Sequence, residues 1–193
     1  WPRELLTNKS ATGACWPGLT QELAVYQASI GNPPVEFGES FVVTGQQPAL
    51  FTGPLYTVYK IATAIRLAKE ISKRHGICCT PVFWQGSDDH DFEEARSATV
   101  LTKNHEPLTL TYEPMHDVAG LPMYRVPLDN SVHDLVDHAA DATPGSEFRD
   151  EVRAFLHGSL SAASSLADWS ARIIARLFAG SGLVVFTSEC RSA

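Results

Sequence analysis

An α/β fold built on a parallel sheet is the class this sequence predicts, and three observations predict it. Two short apolar runs, Phe41-Val42-Val43 and Thr80-Pro81-Val82-Phe83-Trp84, have strand composition. The stretch between them, Pro54 to His75, repeats its apolar residues at helical spacing. Each run then opens into a polar loop, Thr44 to Gly53 and Gln85 to Asp91. Strand, crossover helix and strand form a βαβ unit, expected to be parallel and right-handed.

Taken in order, Glu22 to Ile30 is weakly helical, and Gly31-Asn32-Pro33-Pro34 breaks any helix there. Pro54 suits a first helical position, where its missing N–H would have no partner anyway. Leu55, Val58, Ala62 and Ile65 lie on one side of that helix, with Ile61, Ala64, Ala68 and Ile71 beside them. Lys60, Thr63 and Arg66 form only a narrow polar stripe, so most of the helix is expected to be buried. Gly76 ends it, and Pro81 is tolerable only near the start of the second strand. Asp91 to Leu101 reads as a second helix, with Asp91 and Glu94 at capping-box spacing.

Residues 105–129 carry four prolines and the alternating segment Leu108 to Tyr112, the pattern of a small β-rich excursion. Ser131 to Ala140 predicts a short helix, and Pro144-Gly145 a turn. Glu147 to Ala179 is helical, with an interruption near Gly158. Gly180-Ser181-Gly182 stops it, and Leu183 to Phe186 reads as a buried strand returning to the sheet.

The 193 residues are enough for a sizeable core, and 44% hydrophobic with 19% charged residues is globular composition. A net charge of -7 without a basic patch argues against nucleic-acid partners. No apolar run reaches the length of a membrane span, and no signal peptide opens the sequence. Cys15, Cys78, Cys79 and Cys190 fit neither a disulfide framework nor C-x-x-C chemistry, so a reduced, cytoplasmic protein is expected. The start on Trp1 and the stop at Cys190-Arg191-Ser192-Ala193 read as those of a fragment of a longer enzyme.

In an open parallel sheet, ligands bind beyond the carboxyl ends of the strands, which is where both polar loops begin. The first loop offers Thr44, Gly45, Gln46, Gln47 and Gly53, then a helix start at Pro54 whose N–H groups can hold a phosphate or carboxylate. Tyr56 and Lys60 share one face of the first turns, and Lys60 can add a cation. The plain alternative is a tight turn with a satisfied lysine. The second loop sets Ser87, Asp88, Asp89, His90 and Asp91 in a row, suited to an amine, a ribose hydroxyl or a divalent ion, with His90 able to move protons. Its plain alternative is an acidic helix start capped by Asp88 or Asp91, and both readings can hold together. Trp84 floors the pocket or belongs to the core, with core favoured. His133 and His138 with Asp134, Asp137 and Asp141 fit a solvated helix face better than a metal site, and no metal ligand is assigned. Cys78-Cys79 reads as buried packing rather than as a nucleophile.

At these residues the sequence resembles the bacillithiol biosynthesis cysteine-adding enzyme family, BshC. The resemblance rests on Val43-Thr44-Gly45-Gln46-Gln47-Pro48, Gly53-Pro54-Leu55-Tyr56-Thr57, Tyr59-Lys60, Thr63-Ala64, Pro81-Val82-Phe83-Trp84 and Ser87 through Glu94. It continues through Leu166-Ala167-Asp168-Trp169, Leu177-Phe178 and Gly182-Leu183-Val184. It differs from the family at Ala49 and Thr52, where glycine is usual, and at Asp88, where Glu is usual. Ala49 is the position where an added methyl is expected to restrict a backbone needing positive φ.

The resemblance implies a Rossmann-like core similar to class I aminoacyl-tRNA synthetase and nucleotidyltransferase domains, with a mixed β and helical insertion. Residues 1–104 would be the first half of that core, 105–180 a connecting-peptide-like insertion, and 181–193 the returning strand. It implies a cytoplasmic ligase joining cysteine to glucosaminyl-malate, homodimeric at full length through a coiled coil. Amide formation needs an activated carboxyl, which suggests a nucleotide such as ATP or ADP; the cofactor itself stays unassigned. His90, Asp89 and Lys60 are the catalytic candidates. Thr44, Gly45, Gln46, Gln47, Gly53, Pro54, Tyr56, Trp84, Ser87, Asp88 and Asp91 are the binding candidates. Two other readings stay open: a synthetase-like nucleotidyltransferase acting on an amino acid with another acceptor, and a non-catalytic ligand-binding remnant of the fold.

Overall fold

A computed structural model of the chain describes residues 17–38 and 40–190. The readings that fall on Trp1, Cys15 and the last three residues lie outside that range. The elements run α1 (Pro17–Ser29), β1 (Ser40–Gln46), a 3-10 turn (Leu50–Thr52), α2 (Tyr56–His75), β2 (Cys79–Gln85) and α3 (Phe92–Ala95). They continue with β3 (Ser97–Leu101), β4 (Pro107–Thr111), a 3-10 turn (Met123–Arg125), α4 (Ser131–Ala142), α5 (Arg149–Ser161), α6 (Leu166–Leu177) and β5 (Val184–Thr187). The chain divides into two compact units. The first comprises the residues up to Gln46, Leu55–Gly86 and those from Ala175 on; the second comprises Gln47–Pro54 and Ser87–Ile174.

The first unit holds the predicted βαβ. β1 and β2 are parallel, with Thr44 opposite Phe83, Gly45 opposite Trp84 and Gln46 opposite Gln85. β5 returns parallel on the other side of β2, giving the order β1-β2-β5. Pro81 fits because the β5 ladder begins only at Val82, so β2 has one neighbour at that level. α2 begins at Tyr56 rather than Pro54, with Leu55 as its N-cap. It stops where Gly76 adopts φ 63 and returns its N–H to Ser72 O at 2.9 Å. Thr57, Ile61, Ala64, Ile65 and Ala68 make one buried stripe, while Leu55 and Ala62 are exposed, so less of α2 is buried than its composition suggests.

The free side of β5 is closed by a side chain. Gln27 of α1 donates from Nε2 to Val185 O at 2.7 Å and accepts from Val185 N at 3.0 Å on Oε1. Asn32 donates to that same Oε1 and to Leu183 O. This is how an edge strand with unpaired peptide groups is blunted without another strand.

The second unit corrects the expected helix over Asp91 to Leu101. Asp91 does cap a helix, accepting Glu94 N–H at 3.2 Å, but α3 lasts four residues. The chain then enters β3, antiparallel to β4 from Ser97 opposite Thr111 to Leu101 opposite Pro107. Alternating, β-branched Thr99 and Val100 suit a pleated strand, and hydroxyl pairs Ser97–Thr111 and Thr99–Thr109, each 3.0 Å, tie the hairpin. The long helix expected from Glu147 breaks at 162–165, not at Gly158, which lies inside α5. The cause is a reciprocal cap: Ser165 Oγ accepts Asp168 N–H, and Asp168 Oδ2 accepts Ser164 N–H. The core of this unit gathers Leu50, Tyr112, Met123, Val126, Val132, Val136 and Trp169, and Phe51 meets Trp169 edge to face at 5.5 Å.

Candidate functional site

The carboxyl end of the parallel sheet is set by backbone geometry. Gly86 N–H bonds to Gln46 O at 3.1 Å, locking the exits of β1 and β2 side by side. A Cβ on Gly45 would lie 2.8 Å from Trp84 O, so this glycine is required for close strand approach. Lys60, on the second turn of α2, reaches back to this end. Its Nζ donates to Gly45 O and, at 3.2 Å, to Gln46 Oε1, and lies 5.6 Å from the centre of the Tyr56 ring. These partners are neutral, and none of the ion pairs among the described residues includes Lys60. Its charge is therefore oriented without being neutralised. Trp84, expected in the core, is 49% exposed and packs on Phe186 with ring centres 4.9 Å apart. The period-two alternation of the strand places it on the sheet face that also exposes Phe41 and Val43.

Thus the first unit brings Thr44, Gly45, Gln46, Tyr56 and Lys60 together at one end of its sheet, with Trp84 at the same end on the exposed face. Gln47, Gly53 and Pro54 belong to the second unit, as do Ser87, Asp88, Asp89, His90 and Asp91. In the first loop Ala49 and Leu50 are core residues, so this segment is an anchor as well as a turn. Ala49 is extended, at φ -151, and carries no strain; the left-handed residues are Phe51 (φ 51), Thr52 (φ 72) and Gly53 (φ 77). The conformational cost expected at Ala49 therefore falls on Thr52, whose β-branched side chain resists positive φ. Thr52→Gly is expected to be more stable than Thr52→Ala by about 1 kcal/mol, because both lose the same outer atoms and only alanine keeps the clashing Cβ. Denaturant unfolding of the two variants checks this, and an alanine variant of equal or greater stability would refute it.

The second loop is pinned from behind. Met123 N–H bonds to Asp89 O at 2.8 Å and Tyr124 N–H to Ser87 O at 3.1 Å. Asp89 Oδ1 accepts Asp91 N–H at 2.9 Å, and Asp91 Oδ1 caps α3. Ser87 is buried, while Asp88 and His90 project to solvent. The acidic helix start and the exposed polar row therefore coexist. The Met123–Tyr124 brace was invisible in the sequence because it acts entirely through backbone atoms.

Two clefts escaped the sequence reading. One, of about 360 Å³, is lined by His90, Asp91, Glu93 and Arg96 with His116 and Asp117 of a later loop. Arg96 there is held by Glu93 at 3.0 Å and Glu113 at 2.6 Å. The other, of about 420 Å³, lies at the amino end of β2 against Cys78, Cys79 and Ser72. Cys78 is exposed, against expectation, whereas Cys79 is buried. Burial pushes the Cys79 thiol up, and that of Cys190 to about 11, so neither is a poised nucleophile. Among the described residues no group of three or more His, Cys, Asp or Glu is arranged to hold a metal ion. No helix among them is long and apolar enough to cross a membrane.

A parallel sheet crossed by a helix, with polar loops leaving the carboxyl ends of its strands, defines a Rossmann-like domain of the kind that binds small molecules at that end. Residues 37–192 match the family model for the bacillithiol biosynthesis protein BshC, N-terminal Rossmann-like domain, and the chain belongs to that family. A relative from Salinibacter ruber, named "Putative cysteine ligase BshC", is 41% identical over 148 residues, 77% of this chain. Relatives of the same name from Natranaerobius thermophilus and Symbiobacterium thermophilum are 39% and 38% identical over 75% and 76% of it. The chain spans only 27%, 26% and 28% of these three proteins.

Proposed function

We propose that this chain is the N-terminal part of the catalytic domain of a ligase that adds cysteine to glucosaminyl-malate in bacillithiol biosynthesis. The observation that carries the reading is the family match over residues 37–192, which includes every candidate residue of both loops. Amide formation needs the sugar amine deprotonated as its nitrogen attacks an activated cysteine carboxyl carbon and the activating group departs. His90 takes the proton from the amine. Asp88 and the free oxygen of Asp89 hold the amine before attack, since Asp91 is engaged as a helix cap. In the first unit, Lys60 and the first N–H groups of α2 offer positive charge to an anionic group at the carboxyl end of the sheet. Gln46, oriented by Lys60, and Tyr56 complete that end. Residues 105–180 are read as an insertion into the core, and the whole protein as a cytoplasmic homodimer.

The test is product formation by the full-length protein supplied with cysteine, glucosaminyl-malate and ATP. The expected product has the mass of the two substrates less one water, read by mass spectrometry. Product from another amine acceptor, with none from glucosaminyl-malate, would overturn the reading.

A further inference from the structure

The second unit contains a titratable cluster that the proposed reaction does not use. α4 presents His133, Asp137 and Asp141 to Arg153 and His157 of α5, while Asp134, His138 and Asp141 stay exposed, as the sequence suggests. Nδ1 of His133 and Nδ1 of His157 are 2.7 Å apart, with ring centres 5.0 Å apart and ring planes within 10°. The centre separation exceeds the nitrogen separation by about two ring radii, so the rings meet edge to edge with their nitrogens head-on. Only one hydrogen fits between them. On its other side His157 Nε2 is 2.9 Å from Asp137 Oδ1. The hydrogen bond to His157 holds the Asp137 carboxyl below its usual range, so this oxygen accepts and Nε2 carries a hydrogen. Arg153 also meets Asp137, at 3.4 Å, and pairs with Asp141. β4, the strand that α4 also packs against, has no ionisable side chain.

We propose that His133 and His157 form a proton-operated latch between α4 and α5, closed while the rings share one hydrogen and opened by a second. With one hydrogen shared, the pair is bonded whether it is neutral or singly charged. A second hydrogen places N–H against N–H and two positive rings side by side, and the contact must part. The bonded form is therefore lost as the surroundings turn acid enough to add that second hydrogen. His157 is 28% exposed, so protons reach the pair.

The test is amide hydrogen exchange on the full chain at about pH 8 and about pH 5.5, corrected for intrinsic exchange rates. Protection over residues 131–161 is expected to fall about tenfold more than in the rest of the second unit. His133→Leu, which fills the space but cannot titrate, should abolish that difference. A uniform change across the unit, or a step that survives in His133→Leu, overturns the proposal. If that variant does not fold, nitrogen NMR of the histidine rings in the unmutated chain decides. One hydrogen shared between the two Nδ1 atoms at about pH 8 is expected, and two independent rings overturn the latch.

Discussion

His90→Ala is expected to lower turnover of the full-length enzyme by about 10²–10⁴-fold, the usual contribution of a positioned acid–base group, with the melting temperature unchanged. Folding should be indifferent because the position is held by its neighbours. Asp89 O accepts Met123 N–H, Asp89 Oδ1 accepts Asp91 N–H, and His90 contributes only its carbonyl, to Phe92 N–H. Its ring is exposed and makes no hydrogen bond among the described residues. Asp89→Asn is the companion variant. An amide oxygen can still accept Asp91 N–H, so the loop should survive while the charge that holds the amine is lost. A rise in KM for the amine substrate with little change in stability is then expected. Unchanged turnover in His90→Ala, or matching losses of stability and turnover, would remove His90 from the chemistry.

That loop shows how far the sequence could be read. Asp91 and Glu94 signal a helix start and the structure has one, but a cap says nothing about how long a helix runs. The length was decided by Leu108 to Thr111, whose alternation drew Ser97 to Leu101 into a hairpin. α2 was legible through to its end at Gly76, a local signal, although it begins at Tyr56 rather than Pro54. Its burial was not, since it depends on what packs against each face. Thr52 and Ala49 make the same point at the scale of one dihedral: the sequence identifies two residues standing where glycine is usual, and only the structure shows which has positive φ. The exposed Trp84 and the partition of the two loops between compact units are likewise set by tertiary packing. His133 and His157, 24 positions apart, meet only because two helices pack in one particular phase.

Gln27→Leu is expected to cost about 3–5 kcal/mol of unfolding free energy, although the sequence of α1 reads as only weakly helical. The amide of Gln27 is 2% exposed and serves three groups at once: Val185 C=O, Val185 N–H and the Asn32 side chain. The peptide groups of Val185 face away from β2, so without Gln27 they have no strand to bond to. Leucine matches the volume but leaves all three groups unpaired in a buried setting, at about 1–3 kcal/mol each before relaxation. Relaxation is limited because Asn32 is also tied to Leu183 O at 2.9 Å and, through its N–H, to Gln27 O. Gln27→Glu should fare no better: it removes the donor to Val185 C=O and buries a carboxylate without a cation. Chemical unfolding followed by tryptophan fluorescence, to which Trp84 on the same sheet as β5 contributes, reads the loss. A cost below about 1 kcal/mol would mean that water replaces the amide, and that β5 is held by its pairing with β2 alone.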